Sequence, residues 1–297
     1  MDINATNLRA LYTSISTIFN KRFAEVPTYY KHVAMTVPST TAANIYPRMD
    51  QFSGVREWIG DRVISNLSAQ AYTIENRTFE NTIGISRNQI EDDQVGFFSS
   101  VVAQFAENAA SVYDQLIFDL LKQGDKVTCY DKQYFFDTDH PGFDDNGKEV
   151  SVSNFTKGDK PAWYLIDNTK VIQPMVLQKR KEFKLVAKDQ ETDDNVFKQG
   201  QFLYGVDGRC NAGFGLYQLA HKATVELTPE NYANVRAAMT SIRKRDGSIV
   251  NITPNKLLVP PCLEAEARKL LSADMINGGE TNIWKNTAEP IVIPLLA

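Results

Sequence analysis

The residues best suited to chemistry fall in one short segment: Asp137, Asp139, His140, Asp144 and Asp145. Carboxylates grouped with an imidazole could hold Zn²⁺ or Mn²⁺. Their spacing argues against it, because only one histidine is present and Pro141-Gly142 splits the donors. Asp137-x-Asp139 begins like a calcium loop, but Pro141 replaces the third ligand and Lys148 takes the twelfth position. A structured acidic turn is the better reading; a metal-dependent hydrolase using Asp137, Asp139 and His140 stays open as the alternative.

His32 and His221 have no carboxylate or cysteine beside them in sequence and read as packed or surface histidines. The chain has no Gly-x-Ser-x-Gly elbow, Walker A loop or spaced CxxC pair. Gly205-Val-Asp-Gly208 and Gly213-Phe-Gly215 lack the dinucleotide-loop spacing and read as strand bulges and tight corners. Two basic runs, Lys179-Arg180-Lys181 and Arg243-Lys244-Arg245, could touch a phosphate backbone. The second sits at a predicted helix C-terminus, where cations offset the dipole without any ligand. A solvated face is the simpler reading of both. Nothing here points to catalysis, a cofactor or a metal.

The element that must position these groups runs from Glu91 to Gly124. Val95, Phe98, Val102, Phe105, Ala109, Val112, Leu116 and Leu120 recur at spacings of three and four, the period of one helix face. Glu91, Asp92 and Asp93 suit the positive end, Lys122 the negative end, and Gly124 a C-cap. A helix of about 28 residues is a rod of roughly 40 Å. Seven or eight buried apolar side chains place on the order of 10 kcal/mol on that face. Such a rod suits the spine of a shell subunit, or a long core helix of some other α/β protein.

Residues 7–25 predict a helix with Leu8, Leu11, Tyr12, Ile15, Ile18, Phe19 and Phe23 on one stripe, stopped by Pro27. Residues 29–51 are extended and rich in Pro and Thr. Two readings stand: an arm laid over another surface, or a helix docked on the chain's own core. Thr78 to Ser86 alternates with the period of a half-buried strand, and Val63 to Ile74 offers a partner across a turn at Glu75-Asn76-Arg77. A lone long hairpin is marginal in water and must lean on something. After an aromatic and acidic loop at 130–147, residues 163–219 read as β-rich, with an exposed acidic loop at 189–194. Thr228-Pro229-Glu230 starts a helix, with N-cap, Pro at N1 and an acid in the first turn. Lys256 to Val259 is a short buried strand, a helix follows Pro260-Pro261, and 291–296 is a last strand.

With 297 residues, 43% of them hydrophobic, the chain can bury a sizeable core in one large or two medium domains. A net charge of -4 argues against coating nucleic acid through a broad basic surface. Cys129, Cys210 and Cys262 are odd in number and far apart, as reduced thiols are. There is no signal-peptide pattern and no 18-residue apolar run, so synthesis in a reducing cytosol without membrane contact is expected.

Arg56-Glu-Trp58-Ile-Gly60, Tyr72 to Glu80, Gly84-Ile-Ser86-Arg87, Glu91-Asp92-Asp93, Leu116-Ile-Phe118, Tyr130-Asp131, Phe135-Phe136-Asp137-x-x-His140-Pro141, Tyr164-Leu165, Gly213-Phe-Gly215 and Val259-Pro260 occur in that order. The chain so resembles the major head subunit (T protein) family of Mu-like bacteriophages, a branch of the Hong Kong ninety-seven type capsid fold. The resemblance implies an α+β fold with an N-terminal arm at 1–50, an extended β-hairpin loop at 51–90 and a peripheral domain at 91–223 with its spine helix at 93–123. Residues 224–297 would form the axial domain, an unusual chain order. It implies a major capsid protein, not an enzyme, assembling into hexamers and pentamers of an icosahedral head around double-stranded DNA contacted non-specifically. A separate scaffolding protein, a portal and a cement protein would be its partners, and the virion its location. Subunit-contact candidates are Arg56, Trp58, Arg62, Tyr72, Arg77, Phe79 and Arg87; Lys179, Arg180 and Lys181 are DNA-facing candidates. An encapsulin-like compartment shell is the alternative within the fold. No lysine lies between Lys31 and Lys122, so the extended loop cannot supply the amine of the isopeptide lock that some shells of this fold use. A non-covalent shell is expected.

Overall fold

The computed structural model describes residues 3–46, 72–92, 95–276 and 279–297. Arg56, Trp58, Arg62 and residues 63–71 of the strand expected at Val63 to Ile74 lie outside those residues.

Helix α1 (Ala5–Glu25) starts under the Asn4 side chain, which accepts from Asn7 N at 2.9 Å. Leu8, Leu11, Ile15 and Phe19 form its buried stripe. Then come β1 (Ala34–Pro38), β2 (Ala43–Tyr46), β3 (Tyr72–Glu75), β4 (Arg77–Ser86), α2 (Arg87–Glu91) and the long helix α3 (Val95–Lys122). Of the spine expected at 93–123, residues 93 and 94 lie outside the described residues, and the described helix ends at Lys122. Ser86 and Gln89 form a capping box, so Glu91 closes the separate turn α2 and does not open α3. Gly124 does not end the helix through a left-handed φ. A Cβ there would sit 2.5 Å from the Phe136 ring, so glycine is needed for that close approach.

Helix α1 packs on α3: the Phe19 ring lies 5.8 Å from Phe23 and 6.0 Å from Phe105. Of the two readings of the N-terminal segment, the described residues take the docked one. Strand β1 likewise runs parallel to the chain's own later strand, Ala34 opposite Met175. The Asp114 carboxylate on α3 fixes the corner between them, accepting from Tyr29 N at 3.0 Å and Tyr30 N at 2.8 Å.

Past α3 come β5 (His140–Phe143), β6 (Glu149–Val152), β7 (Phe155–Thr156), β8 (Trp163–Ile166), β9 (Met175–Lys188), α4 (Asp194–Gln199), β10 (Gln201–Phe214) and β11 (Ala220–Ala223). The chain ends with α5 (Pro229–Thr240), β12 (Lys256–Val259), α6 (Glu264–Leu271), the small pair β13 (Met275–Ile276) and β14 (Glu280–Thr281), and β15 (Glu289–Val292). One sheet has the order β1-β9-β10-β4, the other β15-β12-β8-β11-β7.

Among the described residues β3 and β4, on either side of Asn76, do not pair with each other. Strand β4 pairs instead with β10, Ser86 opposite Gln201 and Arg77 opposite Cys210, while β3 pairs with β2, Tyr72 opposite Tyr46. Asn76 explains the change of partner. Its backbone N donates to Ala42 O at 2.9 Å, and its side-chain Nδ2 donates to Ser39 Oγ and Thr41 O, both at 2.9 Å. That pins the segment to the start of β2 and turns the next strand away.

The long β9–β10 ribbon lays Phe183, Tyr204 and Val206 under α1 and α3. Gly208 sits at a register irregularity between the two strands, as a bulge glycine should. A Cβ on it would meet the Phe183 ring at 2.8 Å. In the second sheet every residue of β8 is buried: Trp163 and Leu165 face a core closed by α5 and α6, while Tyr164 and Ile166 belong to the spine-helix core. Strands from both sides of residue 223 make this sheet, for β7, β8 and β11 join β12 and β15.

Candidate functional site

The sequence cluster around His140 does not assemble as a donor set. Asp137 Oδ1 accepts from Thr138 N at 2.7 Å, and Asp144 Oδ1 accepts from Asn146 N and Lys148 N at 2.9 Å, closing the turn at Gly147 (φ +75). Asp137 and Asp139 line a cleft of about 350 Å³ with Asp125, Gln133 and Lys157. His140 points elsewhere. Its side chain is fully buried at the start of β5 and stacks on Tyr217, with ring centroids 3.7 Å apart. The hydrolase reading therefore fails: its imidazole is walled off from its two carboxylates.

His140 Nδ1 instead donates to Asp131 Oδ2 at 2.7 Å, and Cys129 Sγ donates to Asp131 Oδ1 at 3.0 Å. Gln133 N completes the set on Oδ1 at 3.0 Å. A tight loop holds Cys129 and Asp131 together. Cys129 N donates to Gln133 O at 2.8 Å, Lys132 N to Cys129 O at 3.1 Å, and Lys132 takes a left-handed φ of 74°. Burial works against the Asp131 charge, but the hydrogen bonds from His140 and Cys129 outweigh it and hold its carboxyl below the ordinary value. Burial, reinforced by Asp131, pushes the Cys129 thiol up. Cys129, Asp131 and His140 are the one group of such donors among the described residues whose ligand atoms all lie within 4.8 Å of one another. The Cys-x-Asp spacing is the only sequence signal for it.

Two further buried polar sites carry no sequence signal. Lys222 pairs with Asp125 at 3.1 Å, its ammonium 5.3 Å from the Phe155 ring centroid. Asn154 spans three segments, donating to Phe135 O at 2.8 Å and Ala220 O at 3.2 Å while accepting from Asp137 N at 2.9 Å. His221 is buried, bonded through Nε2 to Thr156 Oγ1 at 2.8 Å, and burial lowers its pKa to about 4.

The other candidate residues are scattered. The Tyr72 hydroxyl accepts from Phe214 N at 3.2 Å, Arg77 lies on β4 over the Phe79 ring, and Phe79 packs partly against the main core. Arg87 pairs with Glu91 at 3.1 Å and Glu191 at 3.0 Å, tying α2 to the 189–194 loop. That loop is only partly exposed, for Asp189 is buried and accepts from Tyr204 at 3.5 Å. Lys179, Arg180 and Lys181 do not share one face. The Lys179 ammonium lies 4.0 Å from the Tyr113 ring centroid, whereas Lys181 pairs with Asp207 across the ribbon.

The spine helix, the long-stranded sheet beside it and the second sheet with its two helices define a class: this is the major capsid fold of tailed phages, of the Hong Kong ninety-seven type. In solved structures, the chain matches a subunit of the bacteriophage JBD30 procapsid with a TM-score of 0.88 and 36% identity, over 99% of this chain and 100% of that one. A subunit of the JBD30 capsid matches with a TM-score of 0.79 and 28% identity, over 100% of both.

Residues 8–296 match the family described as Mu-like prophage major head subunit gpT, and the chain belongs to that family. It is 37% identical over 275 residues to the Mu-like prophage FluMu major head subunit of Haemophilus influenzae, covering 90% of this chain and 89% of that one. It is 35% identical over 289 residues to the major capsid protein of Escherichia phage Mu, covering 95% of each. These relatives are structural head proteins, which favours a phage head over an encapsulin-like compartment and over any enzyme. Among the described residues, no helix is long and apolar enough to cross a membrane.

Proposed function

We propose that this chain is the shell-forming subunit of a tailed-phage head, building hexamers and pentamers that close an icosahedral capsid around double-stranded DNA. The observation that carries this is the match to a procapsid subunit over 99% of the chain. The four-stranded sheet with the spine helix forms the peripheral domain, and the five-stranded sheet with α5 and α6 the axial domain, built largely from residues 224–297. The loop around 51–90 and the outer face of the N-terminal segment to residue 50, whose inner face docks on α3, make the contacts between subunits, with Arg56, Trp58, Arg62, Tyr72, Arg77, Phe79 and Arg87 as the residues to test. Arg180 and Lys181 remain candidates for weak, salt-sensitive DNA contact; Lys179 is the poorest of the three because its charge is already held over Tyr113.

A separate scaffold and a portal complete assembly. A cement protein is supported by a related JBD30 capsid, which is decorated with minor capsid protein trimers. That relative exists as both procapsid and capsid, and this chain is closer to the procapsid subunit. The shell's mechanism is accordingly a change between two packed arrangements, with no active site. Negative-stain microscopy of purified protein tests the proposal: closed shells or capsomers support it, and a monodisperse single chain under assembly conditions refutes it.

A further inference from the structure

Three side chains that follow the spine helix in sequence converge on one buried point. Cys129 and Asp131 sit two residues apart in a loop closed by the left-handed Lys132, and His140 enters from β5. All three side chains are buried or nearly so. We propose that Cys129 Sγ, the Asp131 carboxylate and His140 Nδ1 bind one divalent transition-metal ion of the zinc type.

The donor set suits the ion. A thiolate and an imidazole are borderline-soft donors, and a carboxylate completes a common zinc combination. Bonds of about 2.0–2.3 Å in a tetrahedron separate donors by roughly 3.3–3.7 Å. The three atoms already lie within 4.8 Å of one another, so the ion needs the 3.0 Å and 2.7 Å hydrogen bonds it replaces to spread by less than about 1 Å and the widest pair to close by a similar amount. Charge balances in the dry site, because thiolate and carboxylate together neutralise a dication. Binding releases the thiol proton to solvent. The imidazole stays neutral as its proton moves from Nδ1 to Nε2, a buried atom that has no other partner among the described residues. Water takes the fourth position. Gln133, whose backbone N donates to Asp131, also lines the cleft that holds Asp125, Asp137 and Asp139, and those carboxylates would draw cations toward the loop. The ion would fasten the end of the spine helix to the β5–β6 hairpin, replacing a weak S–H hydrogen bond by a metal–thiolate bond.

The test uses assembled particles of the full chain, stripped with chelator and titrated with Zn²⁺ or Co²⁺ alone. One metal ion per chain is expected, with a thiolate-to-cobalt charge-transfer absorption and a lower melting temperature after chelation. Cys129→Ser should keep the fold, since serine can still donate to Asp131, yet lose the absorption; Cys262→Ser, at the exposed cysteine, should keep it. Wild-type particles that take up no metal, or give cobalt spectra without a thiolate band, overturn the proposal, and so does a band lost with Cys262→Ser but not with Cys129→Ser. Should Cys129→Ser fail to assemble, the wild-type spectrum decides alone. Particle formation is scored in every arm, so failure of the metal site is distinct from failure of the shell reading.

Discussion

Acid should loosen this subunit through His221, a buried imidazole held neutral by its surroundings. The imidazole is 3% exposed on β11 and its Nδ1 has no partner among the described residues. Burial alone lowers its pKa from 6.5 to about 4. A neutral histidine that must stay neutral to fit contributes fully above the unfolded pKa of 6.5, and that contribution drains away as pH falls toward 4. Each tenfold difference in proton affinity between the folded and unfolded imidazole is worth about 1.4 kcal/mol. The whole effect is therefore about 3 kcal/mol, with about 2 kcal/mol already lost by pH 5. Asp131, held below its ordinary value, acts in the same direction, and Asp114 and Asp189, raised by burial, act in the opposite one, but all three are common to wild type and variant and cancel in the comparison. His221→Gln keeps a polar atom for Thr156 without the titration. Urea unfolding of unassembled subunits at pH 7.5, 6, 5 and 4.5 should therefore show wild type falling about 2 kcal/mol further than the variant by pH 5. Parallel curves for the two proteins would refute the reasoning.

Other perturbations have distinct expected sizes. Phe19→Ala empties a fully buried ring site between α1 and α3 and should cost about 3–5 kcal/mol in denaturant unfolding. Gly208→Ala drives a methyl into the Phe183 ring and should cost about 1–3 kcal/mol, with Phe183→Leu restoring much of it in a double-mutant cycle. Asn154→Ala strips partners from buried Phe135 O and Ala220 O and should lower stability by at least about 2 kcal/mol. Glu107→Gln removes a half-exposed pair with Arg22 and should change stability by less than about 1 kcal/mol. Boiled particles should run as monomers on a denaturing gel, because no lysine lies between Lys31 and Lys122; covalent ladders would contradict that.

What the sequence makes legible is local. The 28 residues of α3 announce themselves by period, and α5 by Thr228-Pro229-Glu230, because each signal lies within a turn or two of the element it marks. Even there the buried face is rotated slightly from the one the spacing picks out: Ala106, Tyr113, Ile117 and Leu121 carry the centre of the core, while Phe98, Val112, Leu116 and Leu120 flank it. Strand partners are not legible. Alternation marks β4 as a strand, but its partner β10 lies more than a hundred residues away, and local pattern favours a nearer candidate. The donor cluster is hidden for a similar reason. Asp137 and Asp139 stand closest to His140 in sequence, whereas Asp131 reaches it through a loop whose closure needs a left-handed lysine, and a lysine gives no hint of that.

The placement of β8 bears on the proposed change between two shell arrangements. Its side chains alternate between the two cores, so the lobes share one sheet and cannot rotate apart without opening Trp163, Tyr164, Leu165 and Ile166 together. Full burial of those four side chains stabilises by on the order of 6–10 kcal/mol, more than one conformational step would readily forfeit. The ribbon β2–β3 is the opposite case. It is two-stranded, Ile45 on it is 71% exposed, and it leans on the body through the small cluster of Tyr46, Ile74 and Val176. An isolated pair of strands is marginal by itself. Hydrogen exchange on particles before and after expansion should leave the β8 amides among the slowest in both states and change protection at 43–46 and 72–75. Equal change in both segments, or change confined to β8, would mean that the lobes move against each other and that the shared sheet is not a rigid joint.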